Sequence, residues 1–219
     1  DMPMIGTIRK TNENRRSVIN AYETSHGEMY IKNQCMHCNQ PACASDCLTE
    51  AMHKTEDGPV IWRERKGMGC RYCMVSCPYD VPKFEYFSAN PKIEKCNMCF
   101  DRVKEGLQPA CVENCPGEAI TFGKRRDLIK EARKRINEDP KLYYDGIYGE
   151  HEAGGTSVLY IAAVPFEELG LKPLQKKPYP ELTKGFLYSV PSIFIMWPAI
   201  LLGIFKATKN NQIQTKENE

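Results

Sequence analysis

Residues 35–47 read CMHCNQPACASDC, and residues 70–78 read CRYCMVSCP. A third group combines CNMC at residues 96–99 with CVENCP at residues 111–116. Each group contains two cysteines separated by two residues and a more distant cysteine, which twice precedes a proline. This is the ligand spacing of cubane iron–sulfur clusters. The three groups therefore predict a protein that is built around such clusters and carries electrons.

Other uses of cysteine fit the sequence less well. A disulfide scaffold would be short and would favour an even number, whereas this chain has 219 residues and 11 cysteines. Covalent haem needs a histidine directly after the CxxC pair, but Asn39, Met74 and Phe100 stand there. Zinc stays open, because CxxC pairs also build zinc ribbons. Zinc sites give no reason for the additional cysteines of each group, so iron–sulfur clusters are favoured.

The spacing also predicts which cysteines share a site. In paired motifs, the last cysteine of a run usually ligates the neighbouring cluster. Crossed ligation then gives one [4Fe–4S] site made of Cys35, Cys38, Cys43 and Cys77. A second site takes Cys47, Cys70 and Cys73.

The third group is incomplete in a different way. Three of its cysteines would hold corners of one further cluster, namely Cys96, Cys99 and Cys111. Cys115 would reach across to yet another cluster. The sequence has no fourth group that could complete either site. A complete CxxCxxCxxxC motif is therefore expected upstream of Asp1, together with a targeting signal.

The second site is one thiolate short. A complete run would have a cysteine three residues before Cys70, where this chain has Gly67. A site with three thiolates is expected to settle as a [3Fe–4S] cluster, or to keep four irons with water or hydroxide at the open corner. Alternatively, Gly67 is only a turn residue. The ligand loop from Gly69 to Cys73 favours the missing ligand, in which case Gly67→Cys should restore a four-iron cluster.

These groups and their surroundings resemble the four-cluster ferredoxin-like electron-transfer subunits of membrane oxidoreductases. The similar stretches are QCMHCNQPAC, GCRYCMVSCPYDVPKF, KCNMCFDRV and YGEHEAGGTSVLYIAAVPFEELGL, and similarity extends from about Met29 to Phe205. Such subunits occur in periplasmic uptake hydrogenases and in menaquinone reductase complexes. The resemblance implies three [4Fe–4S] clusters and one [3Fe–4S] cluster in the full protein, with the cluster domain in the periplasm.

The resemblance also implies two protein partners. One is a polytopic integral membrane subunit that binds quinone. The other is a redox subunit, which could be a nickel–iron hydrogenase, a molybdopterin-type subunit or a multihaem cytochrome c. The chain would pass electrons between them and would catalyse no reaction on its own. The net charge of +2 implies no nucleic-acid partner. The alternative function is an iron–sulfur protein whose clusters serve structure or redox sensing, although a sensor needs neither several clusters nor an anchor.

The expected fold class is α+β: a ferredoxin-like cluster domain with short antiparallel hairpins, plus one C-terminal transmembrane helix. Strands are predicted at Met29–Lys32, Pro59–Trp62, Ala119–Phe122 and Thr156–Val164, and an amphipathic helix at Asp127–Asn137. The expected divisions are an N-terminal segment at residues 1–28, a cluster domain at 29–123, an extension and linker at 124–182, a membrane anchor at 183–207 and a polar tail at 208–219.

The anchor is predicted from an uncharged run. Phe186–Phe205 contains no charged residue and is bracketed by Lys184 and Lys206. As a helix, this run is long enough to cross a hydrocarbon core of about 30 Å. A buried core helix is the alternative, although the rest of the chain is polar. Pro191 and Pro198 favour a neighbouring membrane helix that satisfies the backbone groups they leave unpaired.

Four further side chains lie in or near the ligand groups. His37 and His53 lack a second histidine at metal-ligand spacing, so they are interpreted as packing or hydrogen-bonding residues, with cluster tuning or proton transfer as the alternative. Arg71 and Lys95 are adjacent to ligand cysteines. Their positive charges would raise the potentials of the clusters beside them.

Overall fold

The computed structural model describes residues 3–217, with side chains described as far as Lys209. It divides into two compact units, Asp1–Pro180 and Glu181–Glu219. Cysteine loops occupy much of the first unit, so its strands and most of its helices are short. In chain order its strands are β1 (Val18–Thr24), β2 (Gly27–Asn33), β3 (Met52–Lys54), β4 (Val60–Trp62), β5 (Lys83–Phe84) and β6 (Ile93–Glu94). Its helices are α1 (Ala42–Ser45), α2 (Tyr72–Val75), α3 (Phe100–Lys104), α4 (Ala110–Glu113) and α5 (Arg125–Glu138).

Antiparallel hairpins pair the strands as β1–β2, β3–β4 and β5–β6. The predicted strands at Met29–Lys32 and Pro59–Trp62 correspond to β2 and β4. Strand β4 pairs with β3 after a turn at Asp57 and Gly58, which places Met52 opposite Trp62. This arrangement confirms the expected ferredoxin-like class with short hairpins.

A small core joins the hairpins to the cysteine loops. Val60 of β4 is 1% exposed and lies in one apolar cluster with Met52, Ile93, Cys43 and Cys73. Two cysteines are thus part of the core itself. A second buried cluster, of Ile31, Val164 and Leu169, contains no cysteine.

The amphipathic helix predicted at Asp127–Asn137 is confirmed as α5, which spans Arg125–Glu138. Its inward side chains are Leu128, Ile129, Ala132 and the buried Ile136, as the sequence indicated. Their spacing of three and four residues puts them on one helical face. The opposite face is charged and exposed, and it carries an ion pair of 3.7 Å between Lys134 and Glu138.

Residues 156–164 do not form the predicted strand. Their ladder contacts are isolated bridges, Thr156 with Cys38 and Tyr160 with Tyr148. These bridges reach two separate segments, so no continuous ladder forms. The segment is apolar because it is packed between loops, with Val164 fully buried. Burial within a loop therefore explains the apolar pattern from which a strand was predicted.

The predicted strand at Ala119–Phe122 is also wrong. No regular strand covers it, and within residues 3–217 no strand pairs with it. A strand needs a neighbour to satisfy its backbone groups, and none is provided there. Its apolar side chains instead line a cavity that is described below.

The predicted linker and helix α6 (Tyr179–Glu217) come after the parts of the chain described so far. Residues 171–178, in the predicted linker, have no regular secondary structure, and the carbonyls of Gln175 and Lys176 accept hydrogen bonds from Ala153 and Gly154. Helix α6 then continues through both internal prolines. Its portion Tyr179–Lys209 is long and apolar enough to cross a membrane, and its apolar side chains are not buried as those of a core helix would be.

Candidate iron–sulfur sites

The structure brings together the four cysteines assigned to the first site. Cys35 and Cys38 lie in the loop after β2, Cys43 is in α1, and Cys77 follows α2. Burial, with the nearby thiols of Cys35 and Cys77, raises the pKa of Cys38 to about 12. Burial and the same neighbours raise the pKa of Cys43 well above its usual value. Four soft donors, three from the first cysteine group and one from the second, therefore surround one buried location.

The second site contains the three cysteines that the sequence grouped. Burial, followed by the charges of Cys47 and Cys70, raises the pKa of Cys73 to about 11. Burial alone would also raise the pKa of Cys47, but hydrogen bonds, led by the Met52 N–H at 3.4 Å from Sγ, lower it. Cys70 is exposed, whereas Cys73 is buried. This site consequently lies nearer the surface than the first.

Gly67 has a neighbour that the sequence did not indicate. Its φ of −72° and ψ of 124° suit any residue, so the backbone does not require glycine there. A Cβ at this position would lie 3.0 Å from Cζ2 and 3.2 Å from Nε1 of Trp62, closer than ordinary van der Waals contact. A side chain at this position would therefore require the indole of Trp62 to shift by a few tenths of an ångström.

The cysteines of the third group border a cavity of about 640 Å³. Those that line it are Cys96, Cys99 and Cys111, and Cys115 is not among its lining residues. Sγ of Cys96 accepts a hydrogen bond from the Met98 N–H at 3.3 Å. Backbone N–H groups directed at ligand sulfur are a regular feature of iron–sulfur sites. The same cavity is also lined by Ile120 and Phe122, and by Leu128 and Ala132 of α5.

The arrangement of the cysteine thiols fits an iron–sulfur cluster rather than a single metal ion. Within the described part of the chain, no three His, Cys, Asp or Glu side chains converge closely enough to hold a single metal ion. The thiolates of an iron–sulfur cluster bind separate irons, so they need not meet at one point. When bound, a cluster supplies one-electron redox chemistry, and the protein supplies the thiolates, the backbone donors and a buried setting.

Two lysines lie near these cysteines. Lys95 is 4% exposed, and its ammonium donates hydrogen bonds to the carbonyls of Val60 and Cys96. Lys54, which the sequence did not single out, donates to the carbonyl of His37 at 3.1 Å. Burial lowers the pKa of Lys54, while Cys38 and Cys35 act in the opposite direction. Both positive charges lie near cysteines and could offset a negatively charged cluster.

Arg71 is the other charged residue predicted to flank a ligand cysteine, and it lies at the surface. Arg71 is exposed, and its guanidinium lies 5.5 Å from the ring centre of Phe84 and 5.7 Å from that of Tyr86. The backbone of Arg71 has a left-handed conformation, with φ of 62°. Stacking on the two rings holds the charge beside the second site, although at the surface.

His37 is confirmed as a hydrogen-bonding residue. It is 1% exposed, and its Nδ1 accepts a hydrogen bond of 2.8 Å from the Val60 N–H. Burial, with the positive charges of Lys95 and Lys54, keeps the pKa of His37 well below 6.5, so the ring is neutral at pH 7. Its Nε2 is buried and has no hydrogen-bond partner within the described residues. His53 lies half-buried in β3.

Comparison with known proteins gives matches over most of the sequence. The 4Fe-4S dicluster domain family matches residues 27–125. A protein of Nitratidesulfovibrio vulgaris is 43% identical over 216 residues, which cover 97% of this chain and 58% of that protein. The chain therefore spans little more than half the length of this relative.

Two further relatives carry names that describe them. Hydrogenase-2 operon protein HybA of Escherichia coli O157:H7 is 34% identical over 219 residues, which cover 88% of this chain and 67% of that protein. The formate dehydrogenase-O iron-sulfur subunit of Escherichia coli K12 is 37% identical over 133 residues, which cover 59% of this chain and 44% of that protein. The second name denotes the iron–sulfur subunit of a dehydrogenase.

Proposed function

Because this protein belongs to the family of iron–sulfur electron-transfer subunits of oxidoreductase complexes, we propose that it passes electrons between a redox subunit and a membrane subunit that binds quinone. The redox partner is supported by the names of the relatives, one from a hydrogenase operon and one a subunit of a dehydrogenase. The membrane partner is supported by the apolar length of α6. Catalysis of a substrate reaction belongs to the partner subunits.

One observation carries this proposal: thiols from different cysteine loops lie near one another. In addition to burial, the thiol of Cys77 raises the pKa of Cys38, and the thiols of Cys47 and Cys70 raise the pKa of Cys73. Each of the first two loops would thus contribute to both proposed sites. Crossed loops place two clusters side by side, which is what stepwise electron transfer requires.

The proposed ligand sets follow this arrangement. The first site holds a [4Fe–4S] cluster through Cys35, Cys38, Cys43 and Cys77. The second holds a [3Fe–4S] cluster through Cys47, Cys70 and Cys73. The third uses Cys96, Cys99 and Cys111 with a ligand outside this sequence, and Cys115 serves a further cluster. The full protein would then contain three four-iron clusters and one three-iron cluster, with its cluster domain on the periplasmic side.

A redox titration of the purified, membrane-bound complex tests the function. We expect electron paramagnetic resonance signals that appear and disappear at separate midpoint potentials, because each cluster has its own thiolate set and its own nearby charges. A menaquinone analogue should reoxidise the reduced clusters. Iron that stays redox-silent over the whole range would favour the structural alternative instead.

Crossed ligation is tested by replacing one cysteine at a time. Cys77→Ser should abolish or convert the cluster of the first site and leave the second site's signal in place, because its thiol lies with Cys35, Cys38 and Cys43. Cys47→Ser is the matched control and should do the reverse. Electron paramagnetic resonance spectra and iron content of the two variants show which site has lost its cluster. Loss of the second site's signal on Cys77→Ser would contradict the assignment.

A further inference from the structure

His37 is held so that only one of its ring nitrogens faces a protein partner. Its Nδ1 accepts the Val60 N–H at 2.8 Å. Its carbonyl accepts hydrogen bonds from the Lys54 ammonium at 3.1 Å and from the Ser157 N–H at 3.2 Å. Both the ring and the backbone are therefore fixed, and the ring cannot turn over without losing the bond to Val60.

The remaining ring nitrogen carries a proton. A neutral imidazole has one donor and one acceptor nitrogen, and Nδ1 of His37 is the acceptor. Nε2–H is consequently a donor, and within the described residues it is buried without an acceptor. Buried donors in native proteins are nearly always paired. The pairing group must then be one that the polypeptide itself does not supply.

The location indicates what that group is. His37 lines the same cavity as Cys96, Cys99 and Cys111. Its buried and unpaired Nε2–H points to a bound group that accepts a hydrogen bond. The cysteines in the same wall identify it as an iron–sulfur cluster, whose sulfurs accept N–H hydrogen bonds.

We propose that Nε2–H of His37 donates a hydrogen bond to a sulfur of the cluster held by Cys96, Cys99 and Cys111, an inference that rests on the proposed cluster at that site. In the sequence, His37 stands between two ligands of the first site, Cys35 and Cys38. It is thus a positioning residue that connects the first site with the third. Because a hydrogen bond to sulfur stabilises the more negative, reduced cluster, it raises the potential of the third-site cluster.

The two amide analogues of histidine separate this role from a structural one. In His37→Asn, the amide can take the place of Nδ1 and keep the bond to Val60, but nothing replaces Nε2. In His37→Gln, the amide nitrogen can take the place of Nε2 and keep the donor, but the acceptor for Val60 is lost. The full-length protein, loaded with its clusters, is used for both variants.

The measurements are potentials, stability and nitrogen coupling. His37→Asn should shift the midpoint potential of the third-site cluster to a lower value at nearly unchanged melting temperature. His37→Gln should lower the melting temperature and keep the potential. In the wild type, pulsed electron paramagnetic resonance of protein with 15N-labelled histidine should detect coupling between one histidine nitrogen and the reduced cluster, and His37→Asn should remove it.

Three results would overturn the inference. They are an unchanged third-site potential in His37→Asn, a shift confined to the first-site cluster, and absence of histidine coupling in the wild type. The wild-type coupling requires no substitution, so a variant that fails to fold does not leave the question open. Failure of the proposed function would be recognised by a separate result. If the third site held no cluster at all, Cys96→Ser would leave the iron content unchanged.

Discussion

A chain that ends after Thr183 is expected to leave the membrane fraction and to lose quinone-linked electron transfer, while its clusters stay reducible by an artificial donor. The truncation removes the uncharged run Phe186–Phe205 of α6, whose apolar side chains are exposed. That run is the part of the described chain with enough apolar length to cross a hydrocarbon core. Fractionation, followed by assays with a quinone analogue and with a soluble dye, measures both effects.

A chain that ends after Lys209 is the matched control for this truncation. It lacks the polar tail but keeps the whole candidate span. It should remain in the membrane fraction and reduce or oxidise quinone as the complete protein does. Quinone-linked activity that persists in the shorter chain would contradict the role proposed for α6.

The second large effect concerns the site of Cys47, Cys70 and Cys73. The oxidised protein should show the resonance signal of a three-iron cluster, with a midpoint potential above that of the neighbouring four-iron cluster, because cluster type and net charge determine potential. Gly67→Cys should remove this signal and add iron. Since a Cβ at Gly67 would lie 3.0 Å from Trp62, conversion should be more complete when Trp62→Ala is combined with it.

Gly67→Ala is the control that separates crowding from ligation. It places the same Cβ against the Trp62 ring but brings no thiolate, so the three-iron signal should persist. If Gly67→Ala and Gly67→Cys change the spectrum in the same way, displacement of the indole is the cause. A wild-type protein without a three-iron signal, whose second site has a fourth protein ligand, would show that the interpretation of Gly67 is wrong.

The parts of the fold that depend on local spacing could be predicted from the sequence. A pair such as Cys35 and Cys38 is close in space because it is close in the chain. The strand β4 was predictable because the turn at Asp57 and Gly58 reverses the chain directly before it. The face of α5 that packs inward follows from a helical period that requires no knowledge of its neighbours.

Features that depend on contacts between distant segments were not predictable. An apolar run such as residues 156–164 looks the same in the sequence whether it pairs as a strand or is packed between loops. The burial of Lys95 depends on the carbonyl of Val60, 35 residues away in the chain. The contact of Trp62 with Gly67 requires the short 3-10 turn Glu64–Lys66 between them. No periodicity or composition signal records such contacts.

The two prolines of α6 also bear on how the helix would face the membrane partner proposed above. Each proline lacks the N–H that would bind the carbonyl four residues earlier, which belongs to Leu187 for Pro191 and to Phe194 for Pro198. These carbonyls are one heptad apart, so they lie on nearly the same side of the helix, offset by about 20°. Both acceptors that need an outside donor therefore form a single stripe along the axis. In a bilayer, that stripe would set the rotation of α6, with the partner along it and acyl chains around the remainder.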